Sequence, residues 1–193
     1  MIYMFLAPGF EEVEALAPLD LLRRAGLSVT TVAITEPASE HAVTGSHGIT
    51  VLADMSTEAF CRYALSEKNT ETAKTIEAVI LPGGMPGTTH LDASPVVDTA
   101  LKMAKEQGAY LCAICAAPLV LGKRGYLVGK RATCYPGFEN QLTGAVIGGK
   151  VIRDDRIITA AGMGVAQEFG LELVSALSSP AKAGEIRKAI QAL

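Results

Sequence analysis

At 193 residues, 49% of them apolar and none of them Trp, the chain is long enough to bury an aliphatic, alanine-rich core as one domain spanning 1–193. Its 17 Lys and Arg against 20 Asp and Glu leave a net charge of −3 with no basic run, which argues against a nucleic-acid or membrane-surface partner. Four scattered cysteines and no stretch near the roughly 20 apolar residues of a membrane span point to a reduced, cytoplasmic protein.

The opening MIYMFLAPGF is apolar but short, lacks a basic flank and runs into Glu11, Glu12 and Glu14. It reads as a buried first strand over 2–6, turned by Pro8-Gly9, and not as a signal peptide. EEVEALAPLDLLRRAG (11–26) has helical spacing, with Val13, Leu16, Leu19 and Leu22 on one side and Gly26 where a C-cap belongs. SVTTVAI (28–34) is β-branched and predicts a second strand. Residues 35–55 are turn-rich, with a short strand of a hairpin in HGITVLAD (47–54). SEKNTETAKTIE (66–77) is polar and reads as a loop leading to the strand AVIL (78–81), which ends in PGGMPG. SPVVDTALKMAKEQG (94–108) is an amphipathic helix behind a serine cap. YLCAI (110–114) is a buried strand and AAPLVLGKRG (116–125) a helix. KVIRDDRIITA (150–160) is a hairpin turning at Asp154-Asp155. Two helices close the chain, VAQEFGLELVSAL (165–177) and AKAGEIRKAIQAL (181–193).

Continuous apolar strands alternating with helices predict a mostly parallel sheet covered on both faces. Chemistry in such folds collects at the carboxyl ends of the strands, here FLAPGFEEVE, ILPGGMPG and AICAAP.

Cys112 and Cys115 have the C-x-x-C spacing of a redox or zinc pair. Residues three apart on a strand face opposite ways, Cys112 lies within the strand, and the sequence offers no second ligand pair for zinc. Cys115 stands where strand gives way to helix, followed by the small Ala116 and Ala117, as at a nucleophile elbow. On spacing alone it is either an inert buried thiol or a nucleophile whose thiolate the following helix favours. Gly83-Gly84 lets the backbone turn and aim amides at an oxyanion, or is a plain turn. Glu14 either reaches the same sheet edge or shares the solvent-facing role expected of Glu11 and Glu12.

Taken together, FLAPGFEEVEALAPLDLLRRAG, VILPGG, AICAAP and AAGMGVAQEF resemble the ThiJ/PfpI superfamily over essentially the whole chain, nearest the branch of the Parkinson-disease-associated protein and its bacterial relatives. The resemblance implies a flavodoxin-like three-layer α/β sandwich and a homodimer. By motif position it makes Cys115 the reactive cysteine, Glu14 a buried protonated acid hydrogen-bonded to it, and Gly84 and Ala116 amide donors. Arg24 falls near an anion-binding spot by the dimer interface. A raised Glu14 pKa and a lowered, coupled Cys115 pKa follow. Where the branch with aldehyde chemistry carries a histidine near the thiol, ATCYPGF places Tyr135, a poor base at neutral pH but a possible substrate contact. None of His41, His47 and His90 replaces that histidine, and His47 falls near the place of a family arginine. Cys134 is read as a buried neighbour rather than a resolving thiol.

The implied activity is a glyoxalase III or deglycase reaction without metal or organic cofactor. Cys115 adds to a small carbonyl substrate, an α-oxoaldehyde or its adduct, which becomes a hydroxy acid. The alternative is a redox-responsive stress or chaperone protein built on an oxidisable Cys115. Ala116, in place of a histidine directly after the cysteine, argues against peptidase and amidotransferase chemistry.

Overall fold

The computed structural model describes residues 1–64 and 75–192, so the expected loop over 66–77 lies outside the described residues except at its end. Its centre is a seven-stranded sheet. In chain order the strands are β1 (Ile2–Leu6), β2 (Val29–Ala33), β3 (Ala42–Thr44), β4 (Thr50–Leu52), β5 (Met55–Ser56), β6 (Ala78–Leu81), β7 (Tyr110–Ile114), β8 (Arg131–Ala132), β9 (Val146–Ile147), β10 (Val151–Asp154) and β11 (Ile157–Ala160). The sheet runs β10-β11-β7-β6-β1-β2-β5, parallel throughout except for the antiparallel edge strand β10. The strand order reverses beside β1, which has β2 on one side and β6 on the other. The crevice at such a reversal is where open α/β sheets bind ligands.

Strands β1, β6, β7 and β11 are buried throughout because both faces are covered, and the two-residue period divides their side chains between two cores. Phe5, Val79, Leu81, Leu111 and Ala113 face the helices α2 (Thr57–Ala64), α3 (Gly87–Ala93), α4 (Pro95–Glu106) and α5 (Pro118–Lys123). Met4, Leu6, Ile80, Cys112 and Ile114 face α1 (Glu12–Arg24), α6 (Ala166–Leu177) and α7 (Pro180–Ala189). The result is a three-layer α/β sandwich. β3 and β4 form the expected hairpin outside the main sheet, and the β10–β11 turn falls at Asp155, whose φ is 55°. Sequence periodicity did not reveal α2, α3 or the short parallel pair β8–β9, all of which lack a full apolar repeat.

The phase of α1 differs from the expected stripe. Val13 is 44% exposed and Leu16 half-buried, whereas Ala15, Pro18, Leu19 and Leu22 are buried. The small faces of two helices meet here: a Cβ on Gly170 of α6 would lie 2.9 Å from Pro18 Cα and 2.7 Å from a Leu21 methyl. Close backbone approach, rather than the largest apolar residues, sets the buried face. It also turns the first turn of α1 toward the sheet, burying Glu12 and Glu14.

Candidate active site

Three loops at the carboxyl edge of β1, β6 and β7 converge. Cys115 follows β7 with φ 64°, in the left-handed region that a non-glycine residue adopts at a cost of about 1–3 kcal/mol. The neighbours hold it there: its N–H donates to Ala160 O at 2.9 Å, and its carbonyl accepts from Tyr135 N at 2.8 Å. The half-buried thiol therefore leaves the strand face and meets the N–H groups of Gly84 and Ala116, which donate to the sulfur. Cys112 is fully buried in the core, its thiol pushed up by desolvation, and all four cysteines are free. The C-x-x-C spacing is therefore not a disulfide.

The Gly83-Gly84 loop fits this edge because it carries no side chains. A Cβ on Gly83 would lie 2.5 Å from both Cys115 Cβ and Glu14 Oε2. Gly84, at φ 88°, presses against the backbone of Gly9, Phe10 and Glu11. Glu11 N donates to Gly83 O at 2.9 Å, and Gly83 N donates to Glu14 Oε2 at 3.1 Å, locking the β1 and β6 loops together.

Glu14 is only 1% exposed. Burial, and to a smaller degree the Glu11 carboxylate, raise its pKa to about 7, against the opposing hydrogen bonds to Cys115 and to the amides of Gly83 and Met163. The expected raised acid is present. The expected lowered thiol is not: burial and then the adjacent Glu14 carboxylate push Cys115 up to about 12, with the Gly84 and Ala116 amides pulling the other way. Burial is the leading cause of both shifts, and a desolvated pocket does not hold two anions. When Glu14 is neutral its effect on the sulfur reverses, since a carboxylic acid donates to a thiolate that a carboxylate repels. Near neutral pH the site thus holds at most one negative charge, on carboxylate or sulfur according to where the remaining proton sits.

Tyr135 is 51% exposed and lies on the rim: the point where a Gly162 Cβ would stand is 3.3 Å from its ring and 3.8 Å from Glu14 Oε1. A cavity of about 620 Å³ opens beside it, walled by segments 133–136, 147–150 and 161–165. Cys134 is a buried core residue whose thiol burial raises to about 11. Arg24, at the far end of α1, pairs with Asp20 at 2.5 Å, and the helix rise sets it about 15 Å from Glu14 along the axis.

Sequence reasoning missed two features. Glu12, expected in solvent, has a side chain only 4% exposed and clasps the β3–β4 hairpin. It accepts from His47 N at 2.7 Å and Ile49 N at 3.4 Å and pairs with His47 Nδ1 at 2.8 Å. Burial opposes its ionisation, but the hydrogen bonds from His47 hold its pKa down to about 2. Glu11, Glu12 and His47 offer ligand atoms within 4.8 Å of one another, the one such cluster among the described residues. Both Glu12 oxygens are already engaged by the hairpin, Oε1 by the His47 and Ile49 amides and Oε2 by His47 Nδ1 and the Ser46 hydroxyl. The second feature is the Met163 amide on Glu14, supplied by the GMG stretch after β11, whose glycines were the available signal.

Among known proteins, residues 1–176 match the DJ-1/PfpI family. The chain is 34% identical over 190 residues to protein dj-1beta of Drosophila melanogaster, covering 97% of this chain and 94% of that one. The crystal structure of that fly protein covers 100% of this chain and 97% of its own with a TM-score of 0.86 at 33% identity. A Caenorhabditis elegans protein described as glutathione-independent glyoxalase DJR-1.2 is 34% identical over 183 residues, or 92% of this chain and 88% of that one. The structure of oxidized Toxoplasma gondii DJ-1 covers 98% of this chain and 97% of its own, with a TM-score of 0.87 at 32% identity.

Proposed function

The chain belongs to the DJ-1/PfpI family, and from that premise we propose that it is a single-domain, cofactor-independent enzyme that converts small α-oxoaldehydes, or their adducts, to hydroxy acids. The observation that supports this most is the conjunction at one sheet edge of Cys115 at positive φ, the Gly84 and Ala116 amides, and the buried Glu14 with a pKa near neutrality. An acid of that pKa is well matched to giving and taking protons at physiological pH.

The Cys115 thiol passes its proton to the Glu14 carboxylate, and the sulfur attacks the aldehyde carbon of methylglyoxal. The C–S bond forms as the carbonyl electron pair moves onto oxygen. That oxygen, held by backbone amides, takes the proton from Glu14 to complete a hemithioacetal. Glu14, again a carboxylate, removes the proton from the former aldehyde carbon and returns it to the adjacent carbon, while the hydroxyl proton passes to the ketone oxygen, leaving a lactoyl thioester. The first carbon is oxidised and the second reduced, so no outside oxidant is needed. Water then cleaves the lactoyl thioester, giving lactate and the free thiol. Tyr135 supplies a hydrogen bond to substrate oxygen. Without a histidine base we expect slower turnover than in histidine-bearing relatives.

The worm relative's description as a glutathione-independent glyoxalase supports the same chemistry. The expected homodimer remains part of the proposal: exposed Val13 and Met163 border one shallow surface cavity near the site. A second reading, redox response through Cys115 oxidation, is favoured by the oxidized form of the Toxoplasma relative. The deciding assay is methylglyoxal consumption by purified protein without glutathione, wild type against Cys115→Ser. Lactate from wild type alone supports the enzyme; no turnover by wild type, where a histidine-bearing relative is active, transfers the role to redox response.

A further inference from the structure

The cavity beside Tyr135 is far larger than methylglyoxal needs. Pockets of 300–1,000 Å³ accommodate ligands of drug size, and this one measures about 620 Å³. Tyr135 and Gly162 line it, and the point where a Gly162 Cβ would stand is 3.8 Å from Glu14 Oε1, so the cavity adjoins the acid of the site. Its walls are largely apolar or bare backbone: Ile147, Val165 and Pro136 with Gly148, Gly149 and Gly164. Side chains built at Gly148 and Gly164 would meet nothing within 4 Å, so those walls border open space.

Two charged residues line the cavity. Glu139 has one carboxylate oxygen engaged by Gly137 N at 2.7 Å. Among the described residues Lys150 is the only cation lining the cavity, and no carboxylate pairs with its ammonium. Its backbone is nonetheless fixed, its carbonyl accepting from Ala161 N at 2.8 Å. An unpaired ammonium on a largely apolar wall is an anchor for a carboxylate.

We infer that this cavity is a second subsite that admits the apolar body of an α-oxoaldehyde substrate, or of its hydroxy-acid product, and that Lys150 selects for molecules carrying a remote carboxylate. This rests on the proposed carbonyl chemistry and names its substrate class: apolar or aromatic oxoaldehydes with an anionic far end. Lys150 and Glu139 are both exposed, so the preference is modest and screened by salt.

The test is calorimetric binding of 4-carboxymandelate and mandelate to the full chain at low ionic strength, read as the ratio of their affinities. The expected wild-type ratio is roughly two- to fivefold in favour of 4-carboxymandelate. Lys150→Met brings the ratio to about one, Lys150→Arg retains it, and Glu139→Gln raises it. Gly148→Leu, at a backbone φ outside the left-handed region, fills the space and weakens both ligands. Equal binding of the two acids by wild type, a preference that survives Lys150→Met, or no binding of either acid overturns the subsite. Failure of the carbonyl chemistry is read separately, as absence of lactate from methylglyoxal with wild type, and leaves the affinity ratio to be judged on its own.

Discussion

Glu14→Gln separates what the buried acid does for chemistry from what it costs the fold. Glu14 moves from an ordinary carboxylate value near 4.5 to about 7 on folding. At 1.36 kcal/mol per unit this amounts to about 3 kcal/mol. The sign follows from proton binding: between these two pKa values the folded state holds a proton that the unfolded state has released. Stability therefore falls as pH rises through that window and levels off above about 7. The amide variant cannot titrate, so wild-type minus variant unfolding free energy should decrease by about 3 kcal/mol from pH 4 to pH 8. Taking the difference cancels Glu12 and His47, which Gln leaves in place. The variant does not recover the full amount at high pH, because its NH₂ group faces the Gly83 or Met163 amide where an oxygen accepted before. Urea unfolding of both proteins across this range is the assay, with methylglyoxal turnover alongside; turnover should fall at least about 100-fold. A pH-independent difference, or one that grows with pH, would refute the assignment of a buried, neutral-pH acid.

Gly83→Ala places a methyl 2.5 Å from Cys115 Cβ and Glu14 Oε2; we expect about 1–3 kcal/mol of destabilisation by thermal or urea unfolding and near-complete loss of turnover. Tyr135→His, at a half-exposed rim position, should leave stability within about 0.5 kcal/mol. It should also raise kcat/KM for methylglyoxal at least about tenfold, adding a limb near pH 6.5 to the pH–rate profile; an unchanged rate and profile would show that Tyr135 does not stand in a base's place. Glu12→Ala leaves the His47 and Ile49 amides without their acceptor, a cost of about 1–3 kcal/mol. Because the Glu12 pKa is lowered to about 2, its contribution is present above about pH 4.5 and lost as pH falls toward 2, so wild type and variant should converge in acid.

Much of the architecture was legible because burial on both faces writes itself into composition. IYMFL, AVIL and YLCAI are continuous apolar runs, and each is a parallel strand within about a residue of its expected bounds. Ser94 and Gly26 marked helix ends because capping is local chemistry, a side-chain acceptor in one case and positive φ in the other. The phase of α1 was not legible, since it depends on how closely Pro18 and Gly170 let two helices approach. Glu12 and Glu14 look alike in EEVE, and nothing local tells which oxygen will meet a hairpin amide and which a thiol.

The sequence by itself determined the alternating α/β order, the strand ends that carry chemistry, and Cys115 as the thiol at a strand-to-helix turn. Those features follow from local stereochemistry and apolar periodicity, which a linear chain records. Only the tertiary structure decided the protonation balance of the site. Desolvation and charge proximity depend on the segments around residues 14, 83, 115 and 163 closing on one point, and they raised the pKa of both Glu14 and Cys115 where sequence reasoning had expected the thiol to fall.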